Sequence, residues 1–343
     1  MKKHGNTLYV TTQGTYISRE RETLVLRLDD DQRRRFPIHG VGGLVCFGNV
    51  SFSPFALGLC AENGVSVSLL SDYGRFLARV EGPTTGNVLL RRRQYQAADD
   101  AHEAANVARA IVAAKVANAR TALLRARRDH PDAPGADAVA RAVDELADVL
   151  RQLAAAAGLD DIRGLEGQAA RAYFAVFDTL IRAPGDAFRF TGRTRRPPLD
   201  NVNALLSFLY VLLAHDARSA CESVGLDPQV GFLHRVRPGR ASLALDLMEE
   251  LRCVLADRLA LSLINRQQVD AAGFRTTESG AVEMNDKTRK AVLVAYQKRK
   301  ADELEHPFLK EKVTVGLIVH VQARLLGRFL RGDLDAYPPF FWR

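Results

Sequence analysis

A chain of 343 residues with 47% hydrophobic and 26% charged side chains can bury a sizeable core, which excludes a disordered or fibrous protein. Its 48 basic residues against 40 acidic leave a formal charge of +8, a surplus that favours a polyanionic partner over an acidic one. The four cysteines, Cys46, Cys60, Cys221 and Cys253, form no CxxC pair, which argues against a zinc ribbon or a redox dithiol and for a reducing, cytoplasmic setting.

Residues 1–82 alternate in the manner of half-buried strands, as in Leu8-Tyr9-Val10, Thr15-Tyr16-Ile17 and Thr23 to Leu28. One short helix is predicted over Pro54 to Asn63, with Phe55, Leu59 and Cys60 facing inward. A last strand pair, Val65 to Leu70 and Phe76 to Val80, crosses a turn at Ser71 to Gly74. The expectation is a small sandwich-like β domain without a catalytic cluster. Gly82-Pro83-Thr84-Thr85-Gly86 is hinge-like, and residues 83–90 read as a linker.

From residue 91 to 343 the period is helical, so the fold class is α+β with a larger all-α second domain. Arg91 to Arg128 has neither Gly nor Pro and is predicted as one long helix. Helices follow over Asp137 to Ala157, Asp200 to His215, Thr288 to Glu303 and Val313 to Arg331. Phe274-Arg275 and Gly280 to Met284 read as a short hairpin. The longest apolar run, Leu205 to Ala214, is too short to cross a bilayer, and Met1 to Asn6 lacks the apolar core of a signal peptide, so no membrane segment is expected.

Arginines recur in clusters: Arg33 to Arg35, Arg91 to Arg93, Arg193 with Arg195 and Arg196, and Arg235, Arg237 and Arg240. A charge run is by itself a solvated face; the repetition favours a nucleic-acid surface. The densest chemistry lies in Gly231 to Arg252. There His234 precedes the basic Pro238-Gly239 loop, and a helix from Ser242 carries Asp246, Glu249 and Glu250 at spacings that can line one wall. Carboxylates with one imidazole suit Mg²⁺ or Mn²⁺, and the arginines suit phosphates. The bland alternative is a capping histidine before an acidic helix face. Ser242, His234 and Asp246 contain the atoms of a nucleophilic triad, but nothing places them on a nucleophile turn. Glu166, between Gly164 and Gly167, reads as a first-turn glutamate suited to a helix dipole.

In this order, the stretches Glu62 to Val80, Glu81 to Arg93, Arg163 to Gly167, Gly231 to Arg252 and Gln322 to Pro339 resemble one family. It is the CRISPR-associated endonuclease and spacer-acquisition integrase, the first Cas protein, and within it the type I-C branch. The resemblance covers essentially the whole length. It implies a β domain that mediates homodimerisation and a helical catalytic domain with a Mg²⁺ or Mn²⁺ site. Glu166, His234 and Glu249 are the implied ligands and catalytic residues, with Asp246 as a further ligand or a close second layer. Arg163, Arg193, Arg195, Arg196, Arg235, Arg237 and Arg240 are the implied nucleic-acid contacts. The implied partners are double-stranded DNA, as protospacer and CRISPR repeat, and a small Cas protein in a heterohexamer-like assembly. The competing readings are a non-catalytic nucleic-acid scaffold and a metal phosphohydrolase of a small ester.

Overall fold

The computed structural model describes residues 6–28, 32–71, 76–80, 82 and 88–342. Residues 1–5, most of the turn expected at 71–74 and residues 83–87 of the expected linker lie outside the described residues. The chain divides into two compact units, residues 1–86 and 87–343.

The first unit holds two four-stranded sheets. One orders β1 (Asn6–Val10), β5 (Val41–Phe47), β7 (Ser66–Leu70) and β8 (Phe76–Val80), with the first three parallel and β8 antiparallel. The other orders β4 (Arg33–Pro37), β3 (Thr23–Arg27), β2 (Tyr16–Glu20) and the short β6 (Ser51–Phe52). Helix α1 (Pro54–Glu62) lies in the crossover from β5 to β7. Ser53 caps it by accepting from the Ala56 amide at 3.1 Å, and Pro54 takes the first position, where a missing N–H costs nothing.

Ile17, Leu24, Leu44, Leu59 and Val67 are fully buried in the core of this unit. In β3, Leu24, Val25 and Leu26 are buried in succession, so the strand is covered on both faces and its alternation is only apparent. Phe55, expected inward, is 75% exposed, because α1 buries Ala56, Leu59 and Cys60 instead.

The second unit is built on α2 (Val88–Asp99), α3 (Ala101–Asp129), α4 (Ala136–Ala155), α5 (Leu159–Ala175) and α6 (Asn201–Val224). It continues through α7 (Ser242–Glu249), a π-helical turn (Arg252–Asp257) and α8 (Arg258–Asn265), and closes with α9 (Asp286–Ala301) and α10 (Ile318–Leu330). The segment predicted as one helix is two, and Val88 to Leu90 already belong to α2 rather than to a linker. Asp100 separates them: its carboxylate accepts from the Glu103 amide at 2.8 Å and starts a new helix. The unit is not all-α. β9 (Phe274–Thr276) and β10 (Val282–Met284) form the expected hairpin, and β11 (Glu303–Glu305) pairs with β12 (Lys312–Thr314) between the two last helices, taking the ends predicted as helical at Glu303 and at Val313 and Thr314.

Helix α6 is the one described helix long and apolar enough to suit a membrane, yet its apolar face is packed against α7 and α10. It extends past the predicted end to Gly225, whose φ of 85° and amide contacts to Cys221 and Glu222 close it. Within it, buried Asp216 accepts from Lys300 Nζ at 2.7 Å and Tyr296 OH at 2.8 Å.

Candidate metal centre

His234 sits in an irregular segment between α6 and α7 that other elements hold in place. The buried amide of Gln94 on α2 donates to the carbonyls of Asp227 (2.8 Å) and Val230 (2.7 Å) and accepts from the Asp227 amide (2.8 Å). Arg163 on α5 donates through Nε to the Leu233 carbonyl at 2.8 Å. Asp246, fully buried on α7, then gathers the segment: its Oδ2 accepts from the Phe232 and Leu233 amides at 2.6 and 3.0 Å, and its Oδ1 from the His234 amide at 3.0 Å.

The His234 ring joins this hub through Nδ1, 2.6 Å from Asp246 Oδ1. A carboxylate that already accepts backbone N–H groups takes a further donor, so Nδ1 carries the hydrogen and Nε2 is left to present a lone pair. A second-layer carboxylate on the far nitrogen is the usual support of a metal-binding imidazole. Gly231 is required for the close approach, since a Cβ there would lie 2.6 Å from Asp246 Oδ2 and 2.7 Å from the Ser242 carbonyl carbon.

Glu166 does not begin a helix. It lies well inside α5, whose first turn carries Asp160 and Asp161, so a dipole role does not account for it. Its carboxylate meets Lys115 of α3, and the same ammonium donates to Glu249 at 2.7 Å. Lys115 therefore joins two carboxylates from helices α5 and α7. Glu249 also takes Arg252 on both oxygens, at 2.8 and 2.9 Å. Burial would raise the Glu249 carboxyl, but the charges of Arg252 and Lys115 outweigh it and hold the group well below the usual carboxylate range. Behind Arg252, the Tyr210 ring centre lies 4.3 Å from the guanidinium carbon, and its hydroxyl donates to Asp257 at 2.5 Å.

Glu250 does not share the wall of Asp246 and Glu249. Adjacent helical residues diverge by about 100°, and Glu250 turns to the other side of the unit. There it accepts from Gln322 (2.9 Å), Tyr337 OH (2.5 Å) and the Phe340 amide (2.7 Å). Burial pushes its carboxyl up to about 7, against the pull of those three donors. The Tyr337 to Trp342 tail is thus packed into the helical unit. Asn118, one turn beyond Lys115 on α3, donates to the carbonyls of Glu250 and Phe340 at 2.8 Å each and accepts from the Trp342 amide at 2.7 Å. The triad reading fails on geometry, because the Ser242 hydroxyl donates to the Arg235 carbonyl at 3.1 Å.

The arginines divide into two kinds. Arg193 turns inward, with NH1 2.6 Å from Asn203 Oδ1 and NH2 3.1 Å from Ser207 Oγ. Arg195, Arg196, Arg235 and Arg237 are exposed. Arg240 is held below its ordinary value by burial first and then by repulsion from Arg237, Arg196 and Arg163. Lys115, Asn118 and Arg252 were not singled out as partners in the sequence. The available signal was a lysine and an asparagine on the apolar stripe of an Ala-rich helix, where neither belongs without a buried partner.

The donor set fits a hard divalent ion: two carboxylates and an imidazole whose other nitrogen is buttressed. Among the described residues, no three His, Cys, Asp or Glu side chains already stand together as a metal cluster; the Lys115 ammonium lies between the two carboxylates.

Comparison with known proteins gives the site its context. The profile described as CRISPR associated protein Cas1 matches residues 8–298. The chain is 55% identical over 343 residues to the CRISPR-associated endonuclease Cas1 1 of Chlorobaculum tepidum, covering 100% of both chains. It is 56% identical over 347 residues to the CRISPR-associated endonuclease Cas1 2 of Rhodospirillum rubrum, again with 100% coverage of both. The solved Cas1 protein of Thermotoga maritima shares the fold at a TM-score of 0.80, with 23% identity over 95% of this chain and 97% of that one. With a family match across most of its length and full-length relatives above half identity, the chain belongs to the Cas1 family of CRISPR-associated proteins.

Proposed function

We propose that this chain is a divalent-metal-dependent DNA endonuclease and integrase of CRISPR adaptation, with Glu166, His234 and Glu249 as its metal ligands and Mg²⁺ or Mn²⁺ as the ion. The observation that supports the ligand assignment is the meeting of Glu166 from α5 and Glu249 from α7 at Lys115, with the His234 imidazole buttressed by Asp246, which lies on the same helix as Glu249. Both oxygens of Asp246 are already engaged, which favours it as the residue that aims His234 rather than as a ligand. A divalent ion held there supplies Lewis-acid stabilisation of charge on a phosphodiester oxygen. In the reaction, the 3′-hydroxyl of an incoming protospacer attacks a phosphodiester at the repeat boundary. A new P–O bond forms, the old 3′-oxygen leaves, and no covalent protein intermediate arises.

The exposed guanidinium groups of Arg195, Arg196, Arg235 and Arg237, with Arg163 and Arg240, hold the flanking phosphates. Arg193 is better read as a support of the loop it lies in. Family membership further supports a small Cas partner in a heterohexamer-like assembly, and a homodimer formed through the β unit, where Phe55 and Leu77 are exposed.

Strand transfer of a labelled DNA into a repeat substrate with Mn²⁺ or Mg²⁺ tests the reading. Glu166→Ala, His234→Ala and Glu249→Ala are expected to abolish transfer while keeping DNA binding, and Asp246→Asn to slow it by about ten- to a hundredfold. Transfer that survives the three alanine variants in folded protein sinks the ligand assignment. Loss of DNA binding in all three favours a non-catalytic scaffold.

A further inference from the structure

We infer that Lys115 is a resident counter-ion of the Glu166–Glu249 pair, which a divalent ion must displace in order to enter. The inference rests on the reading of Glu166, His234 and Glu249 as ligands, and goes beyond it by giving the centre a threshold for loading.

Glu249 is a buried carboxylate, its side chain 7% exposed, and Arg252 already satisfies both of its oxygens. A further cation is not required to keep it ionised. What Lys115 adds is a tie to Glu166, a half-buried carboxylate on a different helix. Its own side chain is 13% exposed, so the ammonium is held in the site and is not a solvated lysine that touches acids in passing.

The ammonium donates to one oxygen of each carboxylate, and these are the oxygens turned toward a common point. An ion bridging Glu166 and Glu249 would need the same lone pairs. Ammonium and divalent ion therefore compete, and at such a distance like charges repel strongly in a partly buried site. Two carboxylates with Lys115 and Arg252 balance to zero, so a divalent ion added beside both cations leaves a charge of about +2 with little water to screen it. Arg252 is fixed by Glu249 and the Tyr210 ring. Lys115 stands at the end of a flexible four-carbon stem, and it is the cation that can swing away. The exchange needs no proton transfer, only the release of one ammonium to water.

Two measurements decide. In the first, Mn²⁺ is titrated calorimetrically into the full-length wild type and into Lys115→Met, which keeps the stem and removes the charge. The expected result is an Mn²⁺ Kd about tenfold lower or better in Lys115→Met. The metal-free variant should melt below the metal-free wild type, and its Mn²⁺-induced rise in Tm should be larger. Lys115→Arg, which keeps the charge, should bind no more tightly than wild type.

The second measurement uses wild type alone. Amine-reactive labelling of Lys115, read by mass spectrometry, should rise when Mn²⁺ is added. Should Lys115→Met fail to fold, the labelling decides by itself. An Mn²⁺ affinity in folded Lys115→Met equal to or weaker than wild type overturns the inference. So does labelling of Lys115 that is indifferent to bound Mn²⁺. In either case the metal reading stands as long as wild type binds Mn²⁺ and loses it on Glu166→Ala. A wild type that binds no Mn²⁺ overturns both.

Discussion

Asp246 shows how much of the site is settled by one side chain. Its two oxygens collect three consecutive backbone amides and one imidazole nitrogen, so the path of the chain through Phe232, Leu233 and His234 is drawn onto a single carboxylate. That arrangement works only because residue 231 has no side chain. Gly231→Ala would put a carbon 2.6 Å from Asp246 Oδ2 and 2.9 Å from the Leu243 nitrogen, and backbone cannot step aside cheaply. The expected cost is about 2 kcal/mol of stability, with strand transfer reduced by more than folding alone explains because His234 is moved. Denaturant unfolding alongside the transfer assay checks this, and an alanine variant with wild-type stability and activity would contradict it. In the sequence, spacing showed His234 and the acids near α7 only as a set, and it was the resemblance that put Glu249 ahead of Asp246. Asp246 and Glu249 differ by less than a turn, and only the fold shows that one faces backbone amides and the other faces Lys115 and Arg252.

At the scale of elements, α3 does the most joining. Lys115 meets α5 and α7, and Asn118 one turn later meets the Glu250 carbonyl and the tail. Asn118→Leu removes two donors and one acceptor from buried partners. At about 1 kcal/mol for each such bond, it should cost about 3 kcal/mol. It should also loosen Trp342, whose ring lies 3.7 Å from the guanidinium carbon of Arg125 and 4.4 Å from that of Arg258. A red-shifted tryptophan emission well before global unfolding is the expected signature, readable because this chain has one tryptophan; an unshifted spectrum and unchanged melting would refute it. The existence of these helices was legible from period and from the absence of Gly and Pro. Their breaks were less so. The α2–α3 break rests on Asp100 with Glu103 three residues on, a capping signal that a run of good helix formers hides. The contacts of the tail were not legible in the sequence, because its partners, Glu250, Gln322 and Asn118, are remote from it along the chain.

For the whole molecule, the surplus of +8 matters less than where the cations are free to meet phosphate. Several arginines of the clusters have partners within the chain: Arg35 pairs with Glu20, Arg93 with Glu103, Arg235 with Asp160, and Arg193 with Asn203 and Ser207. The net charge predicted a polyanionic partner, and the arginines that the resemblance implied as contacts differ in exposure: Arg193 is partly buried on Asn203 and Ser207, whereas Arg237 is exposed. The two kinds are separable by salt. Arg237→Ala should weaken duplex binding and lower the slope of log affinity against log salt by about 1. Arg193→Ala should leave that slope nearly unchanged and lower the melting temperature instead. Fluorescence anisotropy at several ionic strengths, with melting curves, distinguishes them, and equal slope changes in both variants would count against the division.

The way Asp246 is used has one more consequence, for how the chain can vary in length. The segment from Arg235 to Arg240 begins immediately after His234 and is closed by Ser242, whose hydroxyl donates to the Arg235 carbonyl. The imidazole takes its position from the carboxylate on α7, and the arginine loop hangs from that hub as an arch, tied to α5 only where Arg235 meets Asp160 among the contacts described. Residues added or removed around Val236 to Gly239 change the reach of the arch over a bound duplex without moving the imidazole. The same insertion between Gly231 and His234 would put the amides out of step with Asp246. The site therefore has one segment open to drift in length and another that tolerates none, only a few residues apart.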